Sequence, residues 1–185
     1  MLRYGFSNDC LKDVYNLPFV IVLETKLQIS QYKIIYNILP TKCSLFRMKL
    51  RDSKTCHLCK MQEQTLAHLL YQCPVISKFF IAFQSWWFAN HGKIMTPTEH
   101  DILFGWYDNA TESKDTLNYI TLVAKYHIFC TTQDSDEVSF DGFPSFLKNK
   151  LDALCYLFHH YLFFSKLYLV CIIFCSQHLL LLWYC

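Results

Sequence analysis

Three cysteines and one histidine lie within eighteen residues of this sequence. Cys56, Cys59, His68 and Cys73 follow the spacing C-x2-C-x8-H-x4-C. Three thiols and one imidazole complete a tetrahedral set for zinc, and a C-x2-C knuckle can aim both sulfurs at one point about 2.3 Å away. Because no position is left for water, the pattern predicts one structural Zn²⁺ and no hydrolysis. Ordinary buried thiols are the alternative, since the chain has ten cysteines.

The composition limits the fold that must position these residues. The chain has 185 residues, of which 53% are hydrophobic and 17% are charged, so it can bury a core. Its four glycines and five prolines argue against a turn-rich all-β fold. We therefore predict a mostly α fold: a small helical domain with a zinc knuckle, plus a hydrophobic C-terminal helix.

Apolar periodicity predicts helices on both sides of the metal segment. Pro18 disfavours helix at the preceding residue, so residues 17–23 are predicted to be extended. The aromatic stripe in residues 75–90 keeps the three–four rhythm of a buried face, and we interpret it as core rather than as a base-stacking surface. The predicted helices are 25–39, 42–50, 63–71, 75–90, 97–103, 117–130 and one that begins near Pro144.

Basic residues surround the predicted knuckle. Between residues 42 and 60 they face one acidic residue, Asp52, which predicts sequence-independent RNA or DNA binding through phosphate contacts. A solvated surface with no ligand is the alternative. Residues 99–141 carry nine acidic against two basic residues and would be the contact face if the chain were instead an interaction scaffold. The candidate nucleic-acid-binding residues are Lys42, Arg47, Lys49, Arg51, Lys54 and Lys60.

The C-terminal segment differs from the rest. Residues 167–185 have no formally charged side chain and are just long enough to span a bilayer. Residues 154–185 are therefore either a membrane anchor, with the zinc domain on the cytosolic side, or a frame-shifted tail. We predict an N-terminal extension (1–23), a zinc-binding helical domain (24–150) and a hydrophobic segment (151–185). The cysteine pattern and the N-terminus indicate a reducing compartment, hence cytoplasm or nucleus, with a C-terminally anchored membrane protein as the alternative.

The metal spacing in its helical setting resembles a known family, the zinc-binding C-terminal region of non-LTR (LINE-type) retrotransposon reverse transcriptases. The resemblance covers roughly residues 15–150. The segments that carry it are 25–28, 31–34, 37–41, 50–53, 56–59, 63–75, 86–87, 102–105, 122–128 and 143–148.

The resemblance implies a non-catalytic module that lies downstream of a polymerase. This module would bind zinc and help to hold RNA. It implies ligands at Cys56, Cys59, His68 and Cys73, with His57 outside the set. The polymerase needs an Asp-Asp pair for its catalytic metals, and the sequence has none. We therefore expect no enzyme activity and no small-molecule substrate, and interpret the chain as a fragment of the parent polyprotein, itself an RNA-directed DNA polymerase.

Overall fold

A computed structural model describes residues 8–106, 114–134 and 137–161 of the protein. The described residues contain no strand, and their one β-bridge joins Thr55 and Glu63. The prediction of a mostly α fold is thus confirmed. The elements are α1 (Asn8–Ile21), α2 (Thr25–Ile35), α3 (Lys42–Arg47), a π-helical turn (His68–Gln72), α4 (Pro74–His91), α5 (Glu99–Phe104), α6 (Lys114–Asp134) and α7 (Phe143–Tyr161).

Local sequence signals explain why α2 ends and α3 begins where they do. After α2, Asn37 takes a left-handed conformation (φ 53°), which asparagine tolerates better than most residues. Pro40 follows and cannot continue a helix. Thr41 then caps α3: its hydroxyl accepts from the Ser44 N–H at 3.2 Å, and the Ser44 hydroxyl accepts from the Thr41 N–H at 2.8 Å. These signals set the geometry of the chain entering the metal segment.

Helix α6 lies at the centre of the core and contacts α1, α2 and the π-helical turn. Ten consecutive residues of α6, from 116 to 125, are buried, so this helix has no solvent face over nearly three turns. The aromatic stripe of α4 also packs inward, because Phe79 and Phe83 are buried and contact the rings of Phe140 and Phe143. The interpretation of that stripe as core is confirmed.

A buried lysine joins three helices of this core. The Nζ of Lys125 on α6 donates to Oε1 of Gln31 on α2 at 2.6 Å and to the carbonyl oxygen of Leu103 on α5 at 3.3 Å. The Gln31 amide also donates to that carbonyl, at 2.9 Å. Burial lowers the pKa of Lys125 to about 7. Within the described part of the chain, the Lys125 amine thus bonds to two carbonyl oxygens and to no carboxylate.

Two segments differ from the predictions. Residues 17–21 are helical rather than extended, because α1 continues through Pro18, which is buried in its last turn. The helix predicted for residues 63–71 begins instead at Leu66, because the bridge between Thr55 and Glu63 keeps the preceding residues extended. Six of the seven predicted helices have a counterpart near the predicted position, and the seventh is replaced by this shorter helix and the π-helical turn.

By its contacts the chain divides into two compact units, Met1–Phe143 and Pro144–Cys185. In the second unit, α7 buries Leu147, Leu151 and Leu154 at helical spacing. No helix in the described ranges is long and apolar enough to cross a membrane. The hypothesised span 167–185 lies outside the described residues. The predicted domain boundaries stay predictions.

Candidate metal centre

A closed loop forms the knuckle that carries Cys56 and Cys59. The Cys56 N–H donates to the carbonyl of Gln62 at 2.7 Å, and the Lys60 N–H donates to the carbonyl of Cys56 at 2.9 Å. Lys60 itself is left-handed (φ 58°), which turns the chain sharply after Cys59. Hydrogen bonds therefore hold the two cysteines on one tight turn, as C-x2-C spacing requires.

The π-helical turn brings His68 and Cys73 to the same side of the chain. Five residues of α-helix rotate by about 500°, which would leave the two side chains about 140° apart. Here the Cys73 N–H donates to the carbonyl of His68, five residues earlier, at 3.0 Å. This wider turn places the two residues over one another. The spacing H-x4-C is thus matched to π rather than α geometry.

The four predicted ligand residues come together. Their ligand atoms all lie within 4.8 Å of one another. Sγ of Cys56 is 4.0 Å from Sγ of Cys73, and Sγ of Cys59 is 3.4 Å from Nε2 of His68. A zinc tetrahedron with Zn–S bonds near 2.3 Å and a Zn–N bond near 2.0 Å has edges of about 3.5–3.8 Å. The observed separations lie close to this range, so the cluster fits one zinc ion.

Backbone N–H groups converge on two of the sulfurs. Burial raises the pKa of Cys73 to about 11, while the N–H groups of Val75 and Ile76 in the first turn of α4 act to lower it. For Cys59, burial also acts to raise the pKa, but N–H groups of Met61 and Gln62 contribute to an overall lowering. These donors favour thiolates, the form that binds zinc.

The imidazole of His68 is suited to act as a neutral ligand. The side chain is 1% exposed, and burial lowers the pKa of His68. Its Nε2 faces Cys59, whereas its buried Nδ1 has no hydrogen-bond partner among the described residues. Metal-bound histidines usually donate that second N–H to an acceptor, so the orientation of His68 depends here on packing within the π-helical turn.

A buried glutamine supports the knuckle and was not identified from the sequence. Oε1 of Gln64 accepts from the Lys42 N–H at 3.0 Å, and its Nε2 lies 3.1 Å from Nδ1 of His57 and 4.0 Å from Sγ of Cys56. It therefore connects the start of α3 to the knuckle. A glutamine among polar residues gives no sequence signal for this role. His57 lies outside the four-residue cluster, as the resemblance implied.

The basic candidate residues differ in exposure. Arg47, Lys49, Arg51, Lys54 and Lys60 are exposed, and Lys42 is half-buried. Lys54 forms an ion pair with Glu63, which raises the pKa of Lys54 by hydrogen bonding and charge attraction. Glu63, three residues beyond Lys60, thus adds a second acidic residue to the charges around the knuckle. The role of all six in nucleic-acid binding stays a prediction.

The fold and the cluster define a small helical module organised around one structural zinc site. Residues 8–80 match the family model described as zinc-binding in reverse transcriptase. This match confirms the resemblance to a reverse transcriptase zinc-binding region over these residues and, with the Cys3His cluster, the prediction of a structural zinc ion. The matched region, residues 8–80, is an accessory zinc-binding region and not a catalytic domain. Searches of curated proteins and of solved structures found no match.

Proposed function

We propose that this protein is a non-catalytic zinc module that binds the backbone of RNA, or of DNA, without sequence preference. We propose further that it derives from the C-terminal part of a LINE-type reverse transcriptase polyprotein. In this proposal Cys56, Cys59, His68 and Cys73 are the zinc ligands. The zinc holds the knuckle in shape and performs no chemistry, because four protein ligands fill a tetrahedral site.

One observation carries the nucleic-acid part of the proposal. The six residues from 46 to 51, Phe-Arg-Met-Lys-Leu-Arg, are all exposed, and they alternate apolar with basic side chains. Met48 and Leu50 are 64% and 66% exposed, so this run does not serve the core. Basic side chains attract phosphate, and exposed apolar or aromatic ones such as Phe46 can contact unstacked bases.

The net charge around residues 46–51 remains positive when the zinc cluster and the nearby carboxylates are counted. Three thiolates and one Zn²⁺ carry a formal charge of about −1. Glu63 neutralises Lys54, whereas the other five candidates have no ion pair within the described residues. Even with Asp52 counted, the surface around the run is cationic. Binding dominated by such a surface weakens steeply with salt.

The test is fluorescence anisotropy with a single-stranded RNA oligonucleotide and the zinc-loaded chain across a salt series. Changing Arg47, Lys49 and Arg51 together to alanine removes three phosphate contacts. For single strands each contact contributes about 0.7 to the slope of log K against log salt. The slope should therefore become shallower by about 2, and affinity at about 0.1 M salt should fall by about 100-fold.

A matched control removes the same charge elsewhere. Lys12, Lys26 and Lys148 are exposed on α1, α2 and α7, and changing all three to alanine should leave most of the affinity intact. Equal losses in both triple variants would mean that only net charge matters and would refute the proposed surface. Binding that ignores salt, or no binding by the zinc-loaded chain, would refute nucleic-acid binding itself.

We propose a cytoplasmic or nuclear location, where RNA and reduced thiols are both available. The alternative is a membrane protein anchored through residues 154–185. Alkaline carbonate extraction of the full chain from cells separates the two, since an anchored protein stays with the membrane pellet. Recovery in the pellet would overturn the location that we propose.

A further inference from the structure

A polar cleft lies beside the knuckle, on the side of α3 and the end of α6. Its volume is about 190 Å³. On the same measure, one water molecule needs only about 15 Å³. Three of its lining side chains are basic or imidazole: Lys42, Arg51 and His57. Three more are neutral and polar: Gln64, Thr132 and Gln133. No carboxylate is among the described residues that line it.

Hydrogen bonds within the wall orient its donors. Because Oε1 of Gln64 accepts from the Lys42 N–H, the Nε2 of that amide is the group that faces Nδ1 of His57. An amide NH2 can only donate, so Nδ1 of a neutral His57 must accept and its proton must lie on Nε2. The Nε2 of His57 therefore carries the proton, and this nitrogen is buried in the wall.

The chemistry of the lining selects an anion with several acceptor oxygens. The lining combines two cationic side chains, Lys42 and Arg51, with the amide of Gln133, whereas the Thr132 hydroxyl already donates to the carbonyl of Phe129 at 2.8 Å. Guanidinium and ammonium groups bind phosphate oxygens through short charge-assisted hydrogen bonds. The volume is sufficient for a phosphate together with part of an attached sugar.

We propose that this cleft is a phosphate-binding site that receives one backbone phosphate of a bound nucleic acid. The inference rests on the proposed function and deepens it. The exposed run 46–51 supplies general attraction, whereas the cleft fixes one phosphate against the zinc knuckle and so sets the register of the strand. A free phosphate or a mononucleotide offers the same chemical group, and the experiment separates these sources.

The test uses ¹⁵N-labelled, zinc-loaded full chain and follows amide shifts during titration with inorganic phosphate. We expect saturable shifts at Lys42, His57 and Thr132. A short RNA with 5′- and 3′-hydroxyl ends should displace the phosphate at these amides, and adenosine monophosphate should bind no more tightly than inorganic phosphate. Shifts that do not saturate, or that occur elsewhere, would overturn the site.

Two variants separate the cleft from the exposed run. Lys42→Gln should weaken inorganic phosphate binding by about tenfold, as expected for the loss of one charge-assisted hydrogen bond. Arg47 does not line the cleft. Arg47→Gln should therefore weaken RNA binding and leave the binding of inorganic phosphate unchanged. If Lys42→Gln disturbs the fold, as judged by amide dispersion, Arg51→Gln replaces it, because Arg51 is exposed.

The outcomes distinguish the two proposals. If Arg47→Gln weakens RNA binding but neither Lys42→Gln nor Arg51→Gln changes phosphate binding, the proposed function stands and the cleft is rejected. If phosphate binds at the cleft and depends on Lys42 while RNA does not bind, the nucleic-acid function falls and the cleft serves a small phosphate compound. Displacement of phosphate by RNA, with tenfold weakening in Lys42→Gln, supports both.

Discussion

The knuckle and helix α6 are stabilised in different ways. Among the eleven residues from 55 to 65, only Cys56 and Gln64 are buried. In α6, ten consecutive residues are buried, and most of them are apolar. The knuckle therefore gains little from the removal of apolar surface from water, whereas α6 gains almost all of its stability that way. From this difference in burial we expect the order of the knuckle to depend on the metal and that of α6 not to depend on it.

The largest expected effect comes from removing one ligand. Cys59→Ser should abolish zinc retention, because structural zinc sites of this kind contribute apparent binding energies of about 10–16 kcal/mol, which also serve as folding energy. Metal analysis after dialysis should give close to one zinc per wild-type chain and almost none per variant chain. Hydrogen exchange should show lost protection in residues 55–73 and retained protection in α6.

The matched control for this change is Cys130→Ser, a thiol on α6 that lies outside the cluster and is only half-buried. It should keep its zinc and its knuckle protection. Global unfolding of Cys59→Ser would contradict the contrast between the two regions, because it would make the core depend on the metal as well. Full zinc retention by Cys59→Ser would contradict the ligand assignment.

The next effect in size tests the core. Phe83 is fully buried and packs against the rings of Phe80, Trp86, Phe140 and Phe143. Phe83→Ala should lower the free energy of unfolding by about 3–5 kcal/mol, through lost transfer energy and the cavity left behind. Urea unfolding of the zinc-loaded chain, followed by far-UV circular dichroism, measures this loss.

Phe88 provides the control on the same helix, since its side chain is 52% exposed. Phe88→Ala should change the free energy of unfolding by about 0.5 kcal/mol or less. Folded Phe83→Ala should still hold one zinc per chain. If it folds but loses its metal, the knuckle depends on core packing, and the two regions are not separable in the way that we describe.

The third effect concerns Lys125: it is small at pH 7 and appears in the pH dependence. Its pKa of about 7 in the folded chain lies below the unfolded value of about 10.4, so the unfolded chain binds more protons between these two values. Stability should therefore rise with pH from about 7 towards 10, by at most about 1.4 kcal/mol per pH unit. Lys125→Met should remove this rise.

The measurement is the difference in unfolding free energy between wild type and Lys125→Met at several pH values, which cancels the titration of the cysteines. Lys26→Met, at an exposed position of α2, should keep the wild-type slope. At pH 7 the effect of Lys125→Met should be small, because relief of a buried amine is offset by the loss of the donor to Oε1 of Gln31. An unchanged slope would show that Lys125 is not buried in solution.

Most of the helices were predictable because their signals are local. Thr41 and Thr98 both form capping boxes at the positions where the sequence predicts a helix to begin. The four clustered residues were predictable from their spacing alone. The prediction of an extended segment from Pro18 was wrong, because burial in the last turn of α1 outweighs the local preference of the residue before a proline.

Three features depend on contacts between distant residues and left no local signal. Lys125 and Gln31 are separated by 94 positions, and nothing in either segment indicates that the lysine is buried against the amide. Gln64 reads as an ordinary polar residue until α3 is placed beside the knuckle. The cleft requires the end of α6 to approach residues 40–64, which no periodicity predicts.

The π-helical turn has a consequence for how this region can vary in length. Gln72 is exposed, so its side chain can be replaced at little cost. Deleting one residue between 69 and 72 would change the spacing to H-x3-C, and four residues of ordinary α-helix rotate by about 400°, which leaves the two side chains only about 40° apart. A one-residue insertion would instead leave the side chains about 120° apart in an α-helix, so between these two ligands the chain should tolerate a one-residue deletion far better than an insertion.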